Sequence, residues 1–345
     1  MQENPQALFG MTLPQLEVIS DSLNLPGFTA RQIADWLYRK DVTSVEEMTN
    51  LPKKVREKIS NYFVIGLSSP VKVQTSADGT KKYLFRSSNG KFIEAAYIPE
   101  KSRHTLCVSC QVGCKMGCLF CMTAKQGFQG NLSAGEILNQ VRSLPEMHKL
   151  TNIVFMGMGE PFDNLDNVMQ SLEILTAKYG FGMSPGRITV STIGIIPAMK
   201  TFLERSSCHL AISLHSPFEE QRKQLMPISN VYSLKEMLDT IRSYPQSRQR
   251  RISFEYIVFK DLNHSLKHVK ELARILNGIR CRINLLRFHP VPSTPLHSPG
   301  DDVMQEFKSS LEKKGIITTI RKSRGQDILA ACGLLSTKEL LPEKG

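Results

Sequence analysis

From residue 103 onward the chain alternates between short β-branched runs and amphipathic stretches. That rhythm restricts its fold more than any other feature. The pattern predicts strands at His104–Val108, Asn152–Phe155, Arg187–Ser191, His209–Leu214, Ile252–Val258 and Arg282–Arg287. Helices are predicted near 133–147, 164–178, 195–205, 233–243 and 265–277, the first opened by a capping box, Ser133-Ala134-Gly135-Glu136. A last apolar run, Ile316–Ile320, offers one more strand. Six βα units in series predict a parallel sheet covered by helices. They are too few to close an eight-stranded barrel, so the expected class is α/β, an open partial (βα)6 barrel with its chemistry at the carboxyl ends of the strands.

Two regions precede the barrel. Residues 1–62 read as a helical accessory domain, with Thr29-Ala30-Arg31-Gln32 as a capping box before Ile33, Trp36 and Leu37. A short helix near 53–63 carries Lys53, Lys54, Arg56 and Lys58, either a solvated face or a phosphate-facing patch. Residues 63–102 read as a small antiparallel connecting unit, with Val71/Val73, Tyr83/Phe85 and Phe92/Ile93 in short runs and hairpin turns at Asp78-Gly79 and Asn89-Gly90. The barrel is expected over 103–320 and a tail over 321–345. No fixed-length repeat or low-complexity tract is present.

Composition narrows the function classes. A chain of 345 residues, 41% hydrophobic and 22% charged, is ordinary globular material rather than a disordered or fibrous one. No run of about 18 apolar residues occurs, so no membrane span is expected. The start, Met1-Gln2-Glu3-Asn4-Pro5, lacks the basic and apolar regions of a secretory signal, which points to the cytoplasm. The net charge of +12 favours a polyanionic partner, and with no basic amphipathic helix or lipidation signal nucleic acid is the better fit. Arg248, Arg250 and Arg251, and Arg321, Lys322 and Arg324, are candidate phosphate contacts.

Five of the eight cysteines lie between Cys107 and Cys121. In a cytosolic chain such clustering reads as metal or redox chemistry. Any four of the five could form a zinc site, whereas Cys114, Cys118 and Cys121 alone make one compact C-x3-C-x2-C loop with no second knuckle. Three thiolates on a four-iron cluster leave one iron open to a ligand. Downstream, Gly157-Met158-Gly159-Glu160-Pro161 follows a predicted strand, a tight turn whose small residues allow close backbone approach and whose Glu160 offers an anion to a cation.

The three-cysteine loop, with Phe120 before its last Cys, resembles the signature of the radical S-adenosylmethionine (SAM) superfamily. The Gly159-Glu160 turn resembles that superfamily's Gly-Gly-Glu element, which meets the SAM ammonium. A closer resemblance is carried by Thr105-Leu-Cys107-Val-Ser, Gln111-Val-Gly-Cys114, Ala124-Lys-Gln-Gly127-Phe128, Met156-Gly-Met-Gly-Glu-Pro161, Val190-Ser-Thr192, Leu210-Ala-Ile-Ser-Leu-His215 and Arg324-Gly-Gln-Asp327-Ile-Leu-Ala-Ala-Cys332-Gly333. Together these resemble the RlmN/Cfr family of radical SAM RNA methyltransferases, over essentially the whole chain.

That resemblance implies a radical SAM barrel and one [4Fe-4S] cluster on Cys114, Cys118 and Cys121. It implies SAM held by Gly159, Glu160, Ser191, Ser213, Leu214, His215 and His289. It implies methylation of adenine C2, at adenosine 2503 of 23S rRNA and adenosine 37 of some tRNAs, with two SAM per methyl group. Adenine C2 is not a nucleophile, so direct methyl transfer does not reach it. In the family one SAM methylates a cysteine, here Cys332. A second yields a deoxyadenosyl radical that takes hydrogen from the S-methyl group, and the resulting methylene radical adds to the base. Cys107 then resolves the adduct as a transient disulfide with Cys332, and Glu94 is the implied proton acceptor. By pattern alone Cys332 in Ala330-Ala331-Cys332-Gly333 reads as a small buried core residue, and Glu94 as a residue of a solvated strand face. Cys110 receives no role, and Cys208 and Cys281 read as core. His289 stands where the family commonly has Asn.

The implied partners are 23S rRNA, tRNA and a flavodoxin-like electron donor, with the enzyme a monomer. The rival within the family is methylation at C8 of the same adenosine, the antibiotic-resistance reaction. From other classes come a radical SAM activase of a glycyl-radical protein and a zinc-stabilised RNA-binding protein.

Overall fold

In a computed structural model the chain is described over residues 5–245 and 251–337. Arg248 and Arg250 of the first candidate phosphate-binding run lie outside the described residues, as does the start, 1–4.

The N-terminal region runs β1 (Gln6–Ala7), α1 (Leu13–Ser22), α2 (Thr29–Arg39), α3 (Lys53–Ser60) and β2 (Phe63–Val64), with β1 and β2 paired in parallel. In α2, Ile33, Ala34, Leu37 and Tyr38 fall on one face at helical spacing and are buried. The predicted capping box at Thr29 does not form. Phe28 is the cap residue, Thr29 is already helical and buried, and its N–H donates to Pro26 O at 2.8 Å. The Pro26-Gly27 turn starts the helix instead. Capping boxes occur at Thr12/Gln15, Ser44/Glu47 and, as predicted, Ser133/Glu136. On α3, Lys53, Lys54 and Lys58 are exposed and Arg56 is half-buried, with Arg56 and Lys58 donating to the carbonyls of Glu46 and Leu23.

The three strands β3 (Lys72–Thr75), β4 (Lys81–Arg86) and β5 (Phe92–Pro99) form the expected antiparallel unit. Its turns close through Ser76 N–H to Thr80 O and Ser87 N–H to Lys91 O. The unit is not a separate sheet. It pairs antiparallel through β5 with β6 (His104–Val108), the first barrel strand. After β6 come β7 (Gln111–Val112), α4 (Met122–Gln126) and β8 (Gly130–Asn131), then α5 (Ala134–Arg142). The barrel continues as β9 (Asn152–Phe155), α6 (Leu165–Thr176), β10 (Ile188–Thr192), α7 (Ile196–Arg205), β11 (His209–Ser213), α8 (Glu219–Leu225), α9 (Leu234–Ser243), β12 (Ile252–Val258), α10 (Leu266–Leu276), β13 (Cys281–Arg287), α11 (Asp301–Glu312) and β14 (Thr318–Ile320). The sheet order is β14-β13-β12-β11-β10-β9-β6-β5-β4-β3, parallel from β6 to β14.

The sequence reading missed α4, α8 and α11. At seven residues α8 is too short to display periodicity. In α11, Met304, Phe307 and Leu311 are buried at helical spacing behind Asp301 and Asp302, a signal the sequence did carry.

Register decides what faces inward. Ala96 on β5 opposes Lys82 on β4 and Cys107 on β6, and Cys107 opposes Val154 on β9. A second row runs Ser213, Glu255, Asn284, Thr319 across β11 to β14. After β14 the chain crosses to the β3–β4 turn, where Gly325 N–H donates to Asp78 (3.0 Å) and Ser76 Oγ to Asp327 (2.6 Å). It then reaches α4, where Met122 N–H donates to Gly333 O (2.8 Å) and Thr123 Oγ1 to Leu335 O (2.6 Å). One apolar core joins Leu16, Ile33 and Leu37 of the N-terminal helices to Phe155, Val190 and Leu285 of the barrel. Among the described residues no helix is long and apolar enough to cross a membrane.

Candidate active site

A cavity of about 550 Å³ opens at the carboxyl ends of the barrel strands, and almost every residue singled out from the sequence borders it. Cys114, Cys118 and Cys121 lie on its wall, in the loop between β7 and α4. The loop begins at Gly113, which has φ +71°, and a β-carbon there would sit 1.7 Å from Gly127 O. Only glycine lets the chain double back so closely, with Gln129 N–H donating to Val112 O at 2.8 Å. Burial pushes the Cys114 thiol up to about 12 and raises Cys118 well above the ordinary range, with Cys121 adding to both.

Among the described residues no three His, Cys, Asp or Glu side chains converge tightly enough for a single metal ion. Three soft sulfur donors on one wall, facing a cavity, instead fit a multi-iron cluster whose thiolates bind separate irons. Cys110 is turned away into the main core, its Sγ 3.7 Å from Met158 O.

Gly159 and Glu160 follow β9 on the same cavity. Gly159 has φ +96°, and a β-carbon there would lie 2.5 Å from Gln111 Cβ. Glu160 is buried and accepts from Thr192 Oγ1 (2.6 Å), Phe162 N–H (3.1 Å) and Ile193 N–H (3.1 Å), which binds the β9 turn to the end of β10. Burial raises its carboxyl to about 7 despite these donors. Among the described residues, the groups that offset the burial of Glu160 are these donors, with no cation among them.

Ser191, Ser213, His215 and His289 also line the cavity. Ser191 does not cap the next helix, whose cap residue is Ile195. His215 has φ +55°, and its Nδ1 accepts from Ile257 N–H at 2.9 Å. That bond places the proton on Nε2, and burial holds the ring neutral, its value lowered to about 3. His289 Nδ1 lies 2.8 Å from Gln326 Nε2 of the C-terminal segment. Leu214 differs: its side chain is fully buried in the main core, so only its backbone can serve a ligand.

Cys107, inside β6, and Cys332, on the C-terminal segment, meet at the same cavity. Cys107 packs with Ala96, Val154 and Ala330, and burial pushes its thiol up to about 12. Cys332 is exposed, contrary to the core residue its Ala-Ala-Cys-Gly context suggests. The two αL residues Gly325 and Leu329 turn the segment so that the thiol faces the cavity rather than the core. Cys208 is buried in the core as expected, and Cys281 is half-buried.

Glu94 corrects the pattern-based expectation of a solvated face. It is buried, pairs with Lys82 Nζ at 2.9 Å and accepts from Ser336 N–H at 3.0 Å. Both faces of β5 are covered, since residues 93–97 are all buried, and the C-terminal segment lies over Glu94 through Ser336. Arg321, 33% of its side chain exposed, lines the cavity with its Nη1 3.5 Å from Glu255 Oε2 and 3.5 Å from Met156 Sδ. Arg103, Arg287, Lys322 and Arg324 border the same cavity. Sequence reasoning missed Arg103, Glu255 and Arg287. Alternation along β12 was the available signal for Glu255, since Ser253, Glu255 and Ile257 share one face.

Comparison with known proteins matches residues 108–274 to the Radical SAM superfamily and residues 6–65 to the ribosomal RNA large subunit methyltransferase N-terminal domain. A probable dual-specificity RNA methyltransferase RlmN of Bacteroides fragilis is 55% identical over 330 residues, 96% of each chain. One from Phocaeicola vulgatus is 53% identical over all 345 residues, covering 99% of that protein. The chain belongs to the RlmN family. RlmN-family membership brings with it a radical SAM fold, a 4Fe-4S cluster and SAM. A crystal structure of a radical SAM methyltransferase from Sphaerobacter thermophilus superposes with a TM-score of 0.89 at 39% identity, covering 96% of this chain and 99% of that one. The fold therefore holds across the RlmN-like chain, N-terminal helices included.

Proposed function

We propose that this protein methylates C2 of adenosine in 23S rRNA and in some tRNAs, at adenosine 2503 and adenosine 37, by way of an S-methylcysteine on Cys332. One observation carries the reading: a single cavity collects the three loop cysteines, the Glu160 carboxyl, and two further thiols, Cys107 and Cys332. A radical enzyme that only cleaves SAM has no use for Cys107 and Cys332.

The cluster and SAM, when bound, supply the one-electron chemistry that activates the S-methyl group. Cys114, Cys118 and Cys121 would hold the cluster. Glu160 would meet the SAM ammonium, with backbone at Gly159 and Leu214 and the side chains of Ser191, Ser213, His215 and His289 orienting the rest. Cys332 sits on a segment held by hydrogen bonds at both ends, which presents its sulfur to the cavity. Glu94, on the Cys107 face of β5, would accept the ring proton, and Cys107 would release the product as a disulfide that thiols reset. Arg103, Arg287, Lys322 and Arg324 give the cavity a cationic border suited to phosphates, and the target base would have to leave its stack to enter.

The test is nucleoside mass spectrometry after anaerobic reaction of reconstituted protein with a 23S rRNA fragment or tRNA, SAM and reductant. 2-Methyladenosine is expected. 8-Methyladenosine would transfer the protein to the C8 reaction, and no methylated adenosine from protein that still cleaves SAM would refute the reading.

A further inference from the structure

We propose that Arg321, restrained by Glu255, is the positioning residue that favours the reactive thiolate of Cys107. The inference rests on the role of Cys107 as the resolving thiol.

The need for such a group follows from where Cys107 sits. Its neighbours Ala96, Val154 and Ala330 are apolar, and burial opposes ionisation. Yet resolution requires a thiolate. In that step the Cys107 sulfur attacks the Cys332 sulfur and an S–S bond forms. The S–C bond to the methylene breaks, its electron pair goes to the departing carbon, and that carbon takes one proton to become methyl. A neutral thiol cannot do this at a useful rate.

The charged groups facing Cys107 come from five directions. Lys82 of β4 and Glu94 of β5 neutralise one another at 2.9 Å. Arg103, at the foot of β6, donates from Nε to Thr105 Oγ1 (3.1 Å), two residues before Cys107 on the same face, and Glu100 lies beside it on the cavity. Cys332 comes from the C-terminal segment, with Lys322 and Arg324 farther out on that segment. Arg321 comes from the end of β14, its Nη1 3.5 Å from the sulfur of Met156, which packs in the apolar cluster of Cys107 itself.

Arg321 is only loosely held. Glu255 is buried on β12 and commits Oε1 to Asn284 Nδ2 (2.7 Å) and Ser253 Oγ (3.1 Å), while Thr319 Oγ1 fixes Asn284 in turn (2.7 Å). Its Oε2 accepts no hydrogen bond and stands 3.5 Å from Arg321 Nη1. The carboxylate is thus rigid, and the guanidinium is tethered at ion-pair range without a bidentate clamp. It can lend charge to a sulfur anion, which attraction in a low-dielectric cavity makes effective. Glu255 opposes that effect by sharing the same cation.

The two residues therefore predict opposite signs. The experiment is iodoacetamide labelling of reduced, anaerobic holoenzyme across a range of pH, with Cys107 alkylation read by peptide mass spectrometry. Iron content and circular dichroism check that each variant is folded. R321M should label Cys107 about tenfold more slowly at a given pH, R321K should label near the wild-type rate, and E255Q should label several-fold faster. General loosening of the cavity would speed all three. R321M and E255Q moving the rate in the same direction, R321M leaving it unchanged, or R321K behaving as R321M, would each overturn the proposal. Labelling needs no RNA, so failure here is separate from failure of the methylation reading, which the nucleoside assay reports.

Discussion

Lys82 and Glu94 form an ion pair between neighbouring strands with 9% and 7% of their side chains exposed, at 2.9 Å. The pair lies on the interior face that also carries Cys107, because Lys82 and Cys107 flank Ala96 in register. A charge so deeply placed persists only with its partner. K82M should therefore lower unfolding stability by about 3–5 kcal/mol, and K82M/E94Q should recover part of that loss. Chemical denaturation of the anaerobic protein measures both, and a K82M variant of wild-type stability would show that the pair is not desolvated.

The cysteine loop separates ligands from bystanders. C118A should lose iron and the broad visible absorbance of the cluster, whereas C110A should retain both, since its thiol is turned into the core. Iron analysis after reconstitution decides the assignment, and loss of iron in C110A alone would reverse it.

Glu160 sets a pH dependence. Its carboxyl, raised by burial to about 7, is neutral below that pH and anionic above it. Only the anion attracts the SAM ammonium, so affinity should rise as pH increases through about 7 and should level above it. E160Q should bind weakly at every pH, without the rise. Equilibrium binding at fixed ionic strength reads the effect, and an affinity that falls with pH in the wild type would contradict the assignment.

His289 lines the cavity and already holds Gln326 through Nδ1. An amide can replace one imidazole hydrogen bond. H289N should keep SAM affinity within about threefold, while H289A should lose about tenfold, the worth of one net hydrogen bond. Equal losses in both would mean that ring shape, not hydrogen bonding, is what the site uses.

The doubling back at Gly113 leaves no room for a side chain. G113A forces a β-carbon onto the Gly127 carbonyl and demands positive φ. The variant should fold its barrel, with near-wild-type circular dichroism, yet take up iron poorly.

Strand and helix positions in the barrel were legible because each buried parallel strand is a short apolar run and each covering helix repeats at 3.6 residues. The predicted and observed spans agree at His104–Val108, Asn152–Phe155 and Ile252–Val258. Thr29 misled because a Thr-x-x-Gln spacing also occurs inside a helix whose start is set by the preceding Pro26-Gly27 turn. Glu94 misled because alternation shows that a residue is on a face and cannot say whether another layer covers it.

The sequence by itself determined the barrel rhythm, the loop of three cysteines and the turn bearing Glu160, since each is local: spacing along the chain dictates which side chains meet. Only the tertiary structure decided that Cys107 and Cys332, far apart in the chain, share one cavity, that Glu94 is sealed against Lys82, and that Arg321 borders that cavity beside Glu255. Those relations arise from strand register and from the path of the C-terminal segment across the sheet. Such long-range geometry follows from how the core packs, which no local pattern of residues encodes.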